Sequence, residues 1–274
     1  MNILVCIKQV PNTQAISIDP ETNTLIREGV ESIVNIYDGY ALEAAARLKD
    51  NDPDIKIHAL CMGPPQAESA LRECLSISAD EAYLATDKRF SGSDTLATSY
   101  ILSECIKKIE ADNGIRFDLI FCGKQAIDGD TAQVGPQIAE CLDLPQITYG
   151  LTCEIKGNEL HVLRETEEGK EIVAARLPCL VTLTKPGFEP RFASVKRKFA
   201  AKKLEIRQIS ADDLPCIDSA KIGLKGSPTQ VRRTFVPQAK KGGVIFTEGV
   251  VAESVAKLAK LLVSNEIITG LEVE

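Results

Sequence analysis

An α/β fold, a mostly parallel sheet with helices on both faces, is what this sequence predicts, and three observations predict it. Short apolar runs alternate with helical patterns from residue 1 to about residue 150. The runs are continuously apolar, as in strands covered on both faces. The stretches between them are long enough for helical crossovers, which make neighbouring strands parallel. At 274 residues, 44% hydrophobic and 26% charged, the chain suits one large domain with an appendage.

The elements follow in order. A first strand is expected over 3–10. Residues 38–48 (DGYALEAAARL) place Ala41, Leu42, Ala45 and Leu48 at helical spacing, with Asp38 as N-cap. A strand over 55–62 leads to Gly63-Pro64-Pro65, which opens a helix through Leu75 with proline in the tolerated first turn. A short strand at 82–85 precedes a long helix over 91–109 starting at Ser93 or Asp94. The strand 119–122 is followed by a helix holding 136–142. After Gly150 the pattern changes. Runs at 151–155 and 159–165 around Lys156-Gly157-Asn158 read as a hairpin. Strands at 171–176 and 180–184 extend this antiparallel addition. Residues 186–205 are rich in Pro, Arg and Lys, 206–249 are loop-rich, and a last helix spans 251–262. The expected division is an α/β domain over 1–205 and an arm over 206–274. The arm is too poor in apolar residues for its own core, so it packs on the domain or on a partner chain.

Composition excludes several classes. A net charge of −7 argues against a nucleic-acid or membrane-surface role. Trp is absent and no apolar run reaches membrane-spanning length. Met1 leads directly into the first strand, so a cytoplasmic protein is expected. Nine cysteines form no Cys-x-x-Cys, and with two histidines a metal site is not expected. Lys8-Gln9-Val10-Pro11 stands where a glycine fingerprint would follow strand one, and no Walker loop, His-Glu-x-x-His or Gly-x-Ser-x-Gly is present. The chain reads as a holder of a reactive cofactor, with no catalytic side chain expected.

The best candidate site is the loop after strand 119–122. Strand, small-residue loop and helix N-terminus together form an anion site, because first-turn amides lack intrahelical partners. Gly123, Ala126, Gly129 and Ala132 let backbone approach a ligand closely. Asp130 and Gln133 have capping-box spacing for a helix opening near 130–136. Asp128 and Asp130 suit ribose hydroxyls or amides better than phosphate, whereas Thr131 and Gln133 can donate to phosphate oxygens. An ordinary βα connection would look the same. In a parallel sheet, 6–8, 35–38, 61–64 and 92–95 converge on this edge. Separately, Arg191, Lys196, Arg197, Lys198, Lys202 and Lys203 form either a solvated basic loop or a docking loop for an acidic partner, with Val195 or Phe199 as anchor.

VCIKQVP at 5–11, CGKQAIDGD at 122–130, LDLPQ at 142–146, the segment VLRETEEGKEIVAARLPCLVT at 162–182, and Glu189-Pro190-Arg191 resemble the electron transfer flavoprotein beta-subunit family, over nearly the whole chain. The resemblance implies a Rossmann-like domain with a C-terminal arm lying on an alpha subunit that carries FAD. It implies an adenine nucleotide in this chain: AMP in the common type, or a second FAD in the NADH-dependent bifurcating type. Family contacts would fall on Cys6, Asn35, Ile36, Tyr37, Asp38 and Met62. They would also fall on the loop Gly123, Lys124, Gln125, Ala126, Ile127, Asp128, Gly129, Asp130, Thr131, Ala132, Gln133 and Val134. The basic stretch resembles the family's recognition loop for acyl-CoA dehydrogenases, which implies docking through Arg191, Val195, Lys196, Arg197, Lys198 and Phe199, with Val195 at the anchor position. DGDTAQVGP after Ile127, and Tyr37-Asp38, resemble the bifurcating type, although Ile36 stands where the family usually has Pro. That type implies hydride from NADH and electrons divided between ferredoxin or flavodoxin and the alpha-subunit FAD. An AMP-holding carrier is the alternative within the family, and a nucleotide-sensing module without redox role the alternative outside it.

Overall fold

The computed structural model describes residues 1–12, 17–18, 25–26, 31–231, 242–246 and 250–268. They belong to two units, Met1–Thr234 and Phe235–Glu274. In the first unit the order is β1 (Asn2–Ile7), β2 (Gln9–Pro11), β3 (Ser17–Ile18), β4 (Leu25–Ile26), β5 (Ser32–Val34), α1 (Ile36–Asn51), β6 (Lys56–Met62), α2 (Glu68–Ile77), β7 (Glu81–Ala85), α3 (Thr95–Asn113), β8 (Leu119–Gly123) and α4 (Val134–Cys141). Then come β9 (Gln146–Lys156), β10 (Glu159–Thr166), β11 (Gly169–Arg176), β12 (Cys179–Leu183), α5 (Val195–Ala201) and β13 (Ile206–Ile209).

Nine strands form one sheet in the order β11-β10-β9-β12-β8-β1-β6-β7-β13. From β9 to β13 every neighbouring pair is parallel, and β10 and β11 add antiparallel strands. Alternation along β1 explains the two-sided core. Ile3, Val5 and Ile7 face α1 and α2, with Leu42, Leu71 and Cys74. Leu4 and Cys6 face α3 and α4, with Ile101, Ile106 and Ile138. The expected α/β class, with helices on both faces, is what the chain forms.

Several boundaries differ from those expected. Strand one ends at Ile7 rather than residue 10, because the chain turns at Lys8 and β2 pairs antiparallel with β5 in a separate ribbon. An apolar run carries no mark of that turn. Helix α1 opens at Ile36 after Asn35, so Asp38 lies in its first turn instead of capping it. Strand β12, expected as part of the antiparallel addition, is inserted between β9 and β8 and runs parallel to both. Residues 206–209, expected as loop, form β13 along β7. The division expected at 205 therefore falls inside a unit that reaches Thr234.

The stretch expected as a basic loop contains α5. Ser194 caps it by accepting the Arg197 amide at 3.2 Å. Arg72 Nη1 donates to the carbonyls of Ala201 and Leu204 at 2.6 and 2.5 Å, locking its C-terminal end against α2. In the second unit, α6 (Val251–Ser264) buries none of its residues. Val251, Val255, Leu258 and Leu262 recur on it at helical spacing.

Candidate functional site

The sheet has a topological switch at β1. The chain leaves β1 through α1 to β6 on one side, and returns from β7 through α3 to β8 on the other. Crevices at such points, beyond the strand C-termini, are where open α/β sheets take ligands. The lips here are Lys8 after β1 and Gly123 at the end of β8. The N-terminus of α1 sits between them.

Gly123 is required by its surroundings. A Cβ there would run into Asp38 Oδ1 and come within 2.7 Å of Tyr37 Cβ. Its amide donates to Asp38 Oδ1 at 3.1 Å, while Asp38 Oδ2 accepts the Lys8 amide at 2.7 Å. Burial pushes the Asp38 carboxyl up to about 7, against the pull of the Lys8 amide, Asn35, the Gly123 amide and the Lys8 charge. Asn35 donates from Nδ2 to the Gln125 carbonyl at 2.8 Å and accepts the Ile127 amide at 3.1 Å.

The loop itself is folded by internal bonds. The amides of Gly129 and Asp130 share the Ala126 carbonyl at 3.2 and 2.9 Å. Gln125 Nε2 donates to Asp130 Oδ1 at 2.6 Å, and Lys8 Nζ pairs with Asp128 Oδ1 at 2.7 Å. Asp130 and Ala132 have φ of 52° and 53°, and Gln133 returns to the right-handed region. A left-handed residue followed by a right-handed one turns successive amides into a concave anion nest. The amides of Thr131, Ala132, Gln133 and Val134 find no acceptor among the described residues. Gly135 brings α4 against the sheet, where a Cβ would strike Thr182 Cγ2.

The expected capping box is not formed. Helix α4 starts at Val134 without a side-chain cap, Asp130 turns back to Gln125, and Gln133 Oε1 accepts from Thr95 Oγ1 at 2.9 Å. That last bond joins the loop to the start of α3. So 6–8, 35–38, 92–95 and 123–134 do converge, through Lys8, Asn35, Thr95 and Gly123. Met62, ending β6, lies half-buried at the same edge, and Cys6 is buried beside Cys122, whose thiol is pushed up by its bond to Cys6 and by burial. Ile36 is exposed and Tyr37 half-buried. Tyr149, absent from the residues expected at the site, borders it through Lys124. It has φ 61°, donates its amide to Thr182 Oγ1 at 3.2 Å, and places its ring 4.8 Å from Lys124 Nζ. Its only signal was Tyr-Gly at the point where β9 shifts register on β12. Among the described residues no cluster of His, Cys, Asp or Glu could hold a metal ion, and no helix is long and apolar enough to cross a membrane.

The basic stretch divides in two. Arg191 is spent inside the fold, with Nε on Glu43 Oε2 at 2.8 Å and Nη2 on Asp50 Oδ2 at 2.6 Å. Arg197 Nη2 donates to the Ala79 carbonyl at 3.0 Å. Lys196 and Lys198 remain exposed, beside Phe192, Val195 and Phe199, which are 97%, 72% and 64% exposed. Val195 and Phe199 lie one turn apart on α5 and share a face.

Fold and crevice together define an α/β protein with an anion-receptive loop at a sheet switch point. A family model described as electron transfer flavoprotein domain matches residues 22–214. The chain belongs to the electron transfer flavoprotein family, on its beta-subunit side. It is 52% identical over 247 residues, covering 90% of this chain and 91% of the relative, to the electron transfer flavoprotein subunit beta of Megasphaera elsdenii. The subunit of the same name from Thermoanaerobacterium thermosaccharolyticum is 50% identical, over 98% of this chain and 100% of that one. Subunit CarD of the caffeyl-CoA reductase-Etf complex of Acetobacterium woodii is 46% identical, again over 98% and 100%.

Proposed function

We infer that this chain binds FAD in the β1/β8 crevice and, paired with an FAD-carrying alpha subunit, accepts hydride from NADH. In this reading electrons are divided between a low-potential acceptor, ferredoxin or flavodoxin, and the alpha-subunit FAD that serves an acyl-CoA dehydrogenase. The observation that carries it is the row of amides at 131–134 that find no acceptor among the described residues, on a loop that carries Gly129, Ala132 and Val134. Such a row fits a diphosphate. The kinship to a subunit of a caffeyl-CoA reductase-Etf complex supports the same direction.

FAD, when held, supplies the exchange between two-electron and one-electron chemistry. The chain's own residues bind and orient. The 131–134 amides take the diphosphate, and Asp38 and Asn35 fix the crevice. Tyr149 offers an aromatic face near Lys124. The exposed face of α5 offers Val195 and Phe199 among lysines to an acidic dehydrogenase surface, and α6, in the second unit, serves in the arm on the alpha subunit. No protein nucleophile is needed.

Counting cofactors released from the intact heterodimer tests this. Two FAD per heterodimer, with NADH oxidation by the heterodimer alone, is the expected result. One FAD plus one AMP, without NADH oxidation, would replace it with an AMP-holding carrier. A colourless complex would remove the redox role.

A further inference from the structure

Asn35 and Asp38 stand three residues apart at the start of α1, 1% and 6% exposed, and the Asn35 side chain also pulls on the Asp38 carboxyl. Asp38 accepts amides from both lips of the crevice, Lys8 and Gly123. Asn35 holds the far lip at Gln125 and Ile127, and its own amide donates to the Lys8 carbonyl at 2.9 Å. An N-cap asparagine ordinarily spends its side chain on its own helix. Asn35 makes no such capping bond to a backbone amide of α1.

We propose that Asp38, with Asn35, is a positioning clasp: its carboxylate sets the gap between Lys8 and Gly123 at which the 124–133 loop receives the diphosphate of an adenine nucleotide. Neither side chain needs to touch that ligand. The proposal rests on the nucleotide reading of the loop and adds a condition to it, which is protonation. A carboxylate accepts both amides. A carboxylic acid turns a hydroxyl donor toward one of them, so one lip loses its partner. An asparagine at this position has the same defect at every pH.

Burial puts the change at about 7. The groups facing Asp38 are Lys8 from the end of β1, Cys61 of β6, Cys74 of α2 and Cys122 of β8. The three thiols are pushed well above their ordinary values, so they stay protonated through neutral pH. Asp38 is then the group among these that changes charge there. Its field on the ligand is answered locally by two amides and the Lys8 ammonium, so the lost hydrogen bond decides the sign. Binding weakens as pH falls.

The test titrates ADP, the portion shared by FAD and AMP with one phosphate added, into the nucleotide-stripped heterodimer from about pH 8 to about pH 6. The wild type should weaken about tenfold across that range, the equivalent of one hydrogen bond. Asp38→Asn should show the weak value throughout and no step. A purely structural role would lower affinity without removing the step. Wild-type behaviour in Asp38→Asn, or tightening at low pH, overturns the clasp and leaves the nucleotide reading intact. No ADP binding by the wild type at any pH overturns both. Should Asp38→Asn not be recovered folded, a flat wild-type profile is by itself enough to overturn the clasp.

Discussion

Gly123 and Asp38 are in contact, and each limits the other. A side chain at 123 has nowhere to go, because Asp38 Oδ1, Tyr37 Cβ and the Asp38 amide already fill the space. Gly123→Ala should therefore cost about 2 kcal/mol or more of stability, as overpacking against backbone does, and should release bound nucleotide, both readable by thermal melting with and without ADP. Asp38 carries a separate pH signature. Its folded value of about 7 lies above the ordinary 3.8, so the native state keeps a proton that the unfolded chain has lost. Its contribution to stability is full below the unfolded value and is lost as pH rises through about 7. Urea unfolding should show stability falling by a few kcal/mol, on the order of the burial penalty, across that window, and Asp38→Asn should flatten the curve. Keeping a buried carboxylate ionised at neutral pH is costly to the fold. A positioning role for the ionised form gives that cost a reason.

Helix ends carry the next level of organisation. Helix α3 begins at Asp94, whose Oδ1 accepts the Ala97 amide at 3.1 Å. Its Oδ2 accepts from the amide and hydroxyl of Thr229 at 3.0 and 2.8 Å. One carboxylate thus caps a helix and pins residues past β13 to it. Asp94→Ala should cost about 1–2 kcal/mol, the range of a lost cap, and should loosen the 92–95 turn, which hydrogen exchange at Ala97 and Thr229 would register. Helix α5 is too short to be stable by itself. Its position depends on Ser194, on Arg197 with the Ala79 carbonyl, and on Arg72 with Ala201 and Leu204. Two of the basic residues near it, Arg191 and Arg197, hold the chain together and leave the lysines to face solvent.

At the scale of the whole molecule, the crevice lies at the C-terminal edge of the strands, while α5 packs on α2 on one face of the sheet. Under the proposed function, nucleotide handling and docking are therefore separable. Val195→Glu, changing an exposed residue, should raise the concentration needed for electron transfer to an acyl-CoA dehydrogenase about tenfold, the scale of one lost apolar anchor, with flavin content unchanged. Raising ionic strength should slow wild-type association if α5 docks as proposed, since exposed Lys196 and Lys198 would then act by steering that salt screens. A salt-independent rate, or full activity with Val195→Glu, would remove α5 from the docking surface.

The α/β class, and the order of the central-sheet strands and the helices through residue 142, were legible in the sequence alone; the ribbon strands between β1 and α1 were not, and the loop at 123–134 stood out as a ligand candidate. What was legible depends on local periodicity and on where small residues fall. Tertiary structure decided the rest. The turn at Lys8, the insertion of β12 between β9 and β8, and β13 on the far edge come from pairing between segments distant in the chain. No local pattern encodes such pairing. The same holds for side chains with more than one use. Asp38 and Asp130 read as helix caps because their spacing allowed it, yet both bond elsewhere, Asp38 to Lys8 and Gly123, Asp130 to Gln125. A carboxylate takes the donors that folding brings nearest, and which donors those are is known only once the sheet has closed.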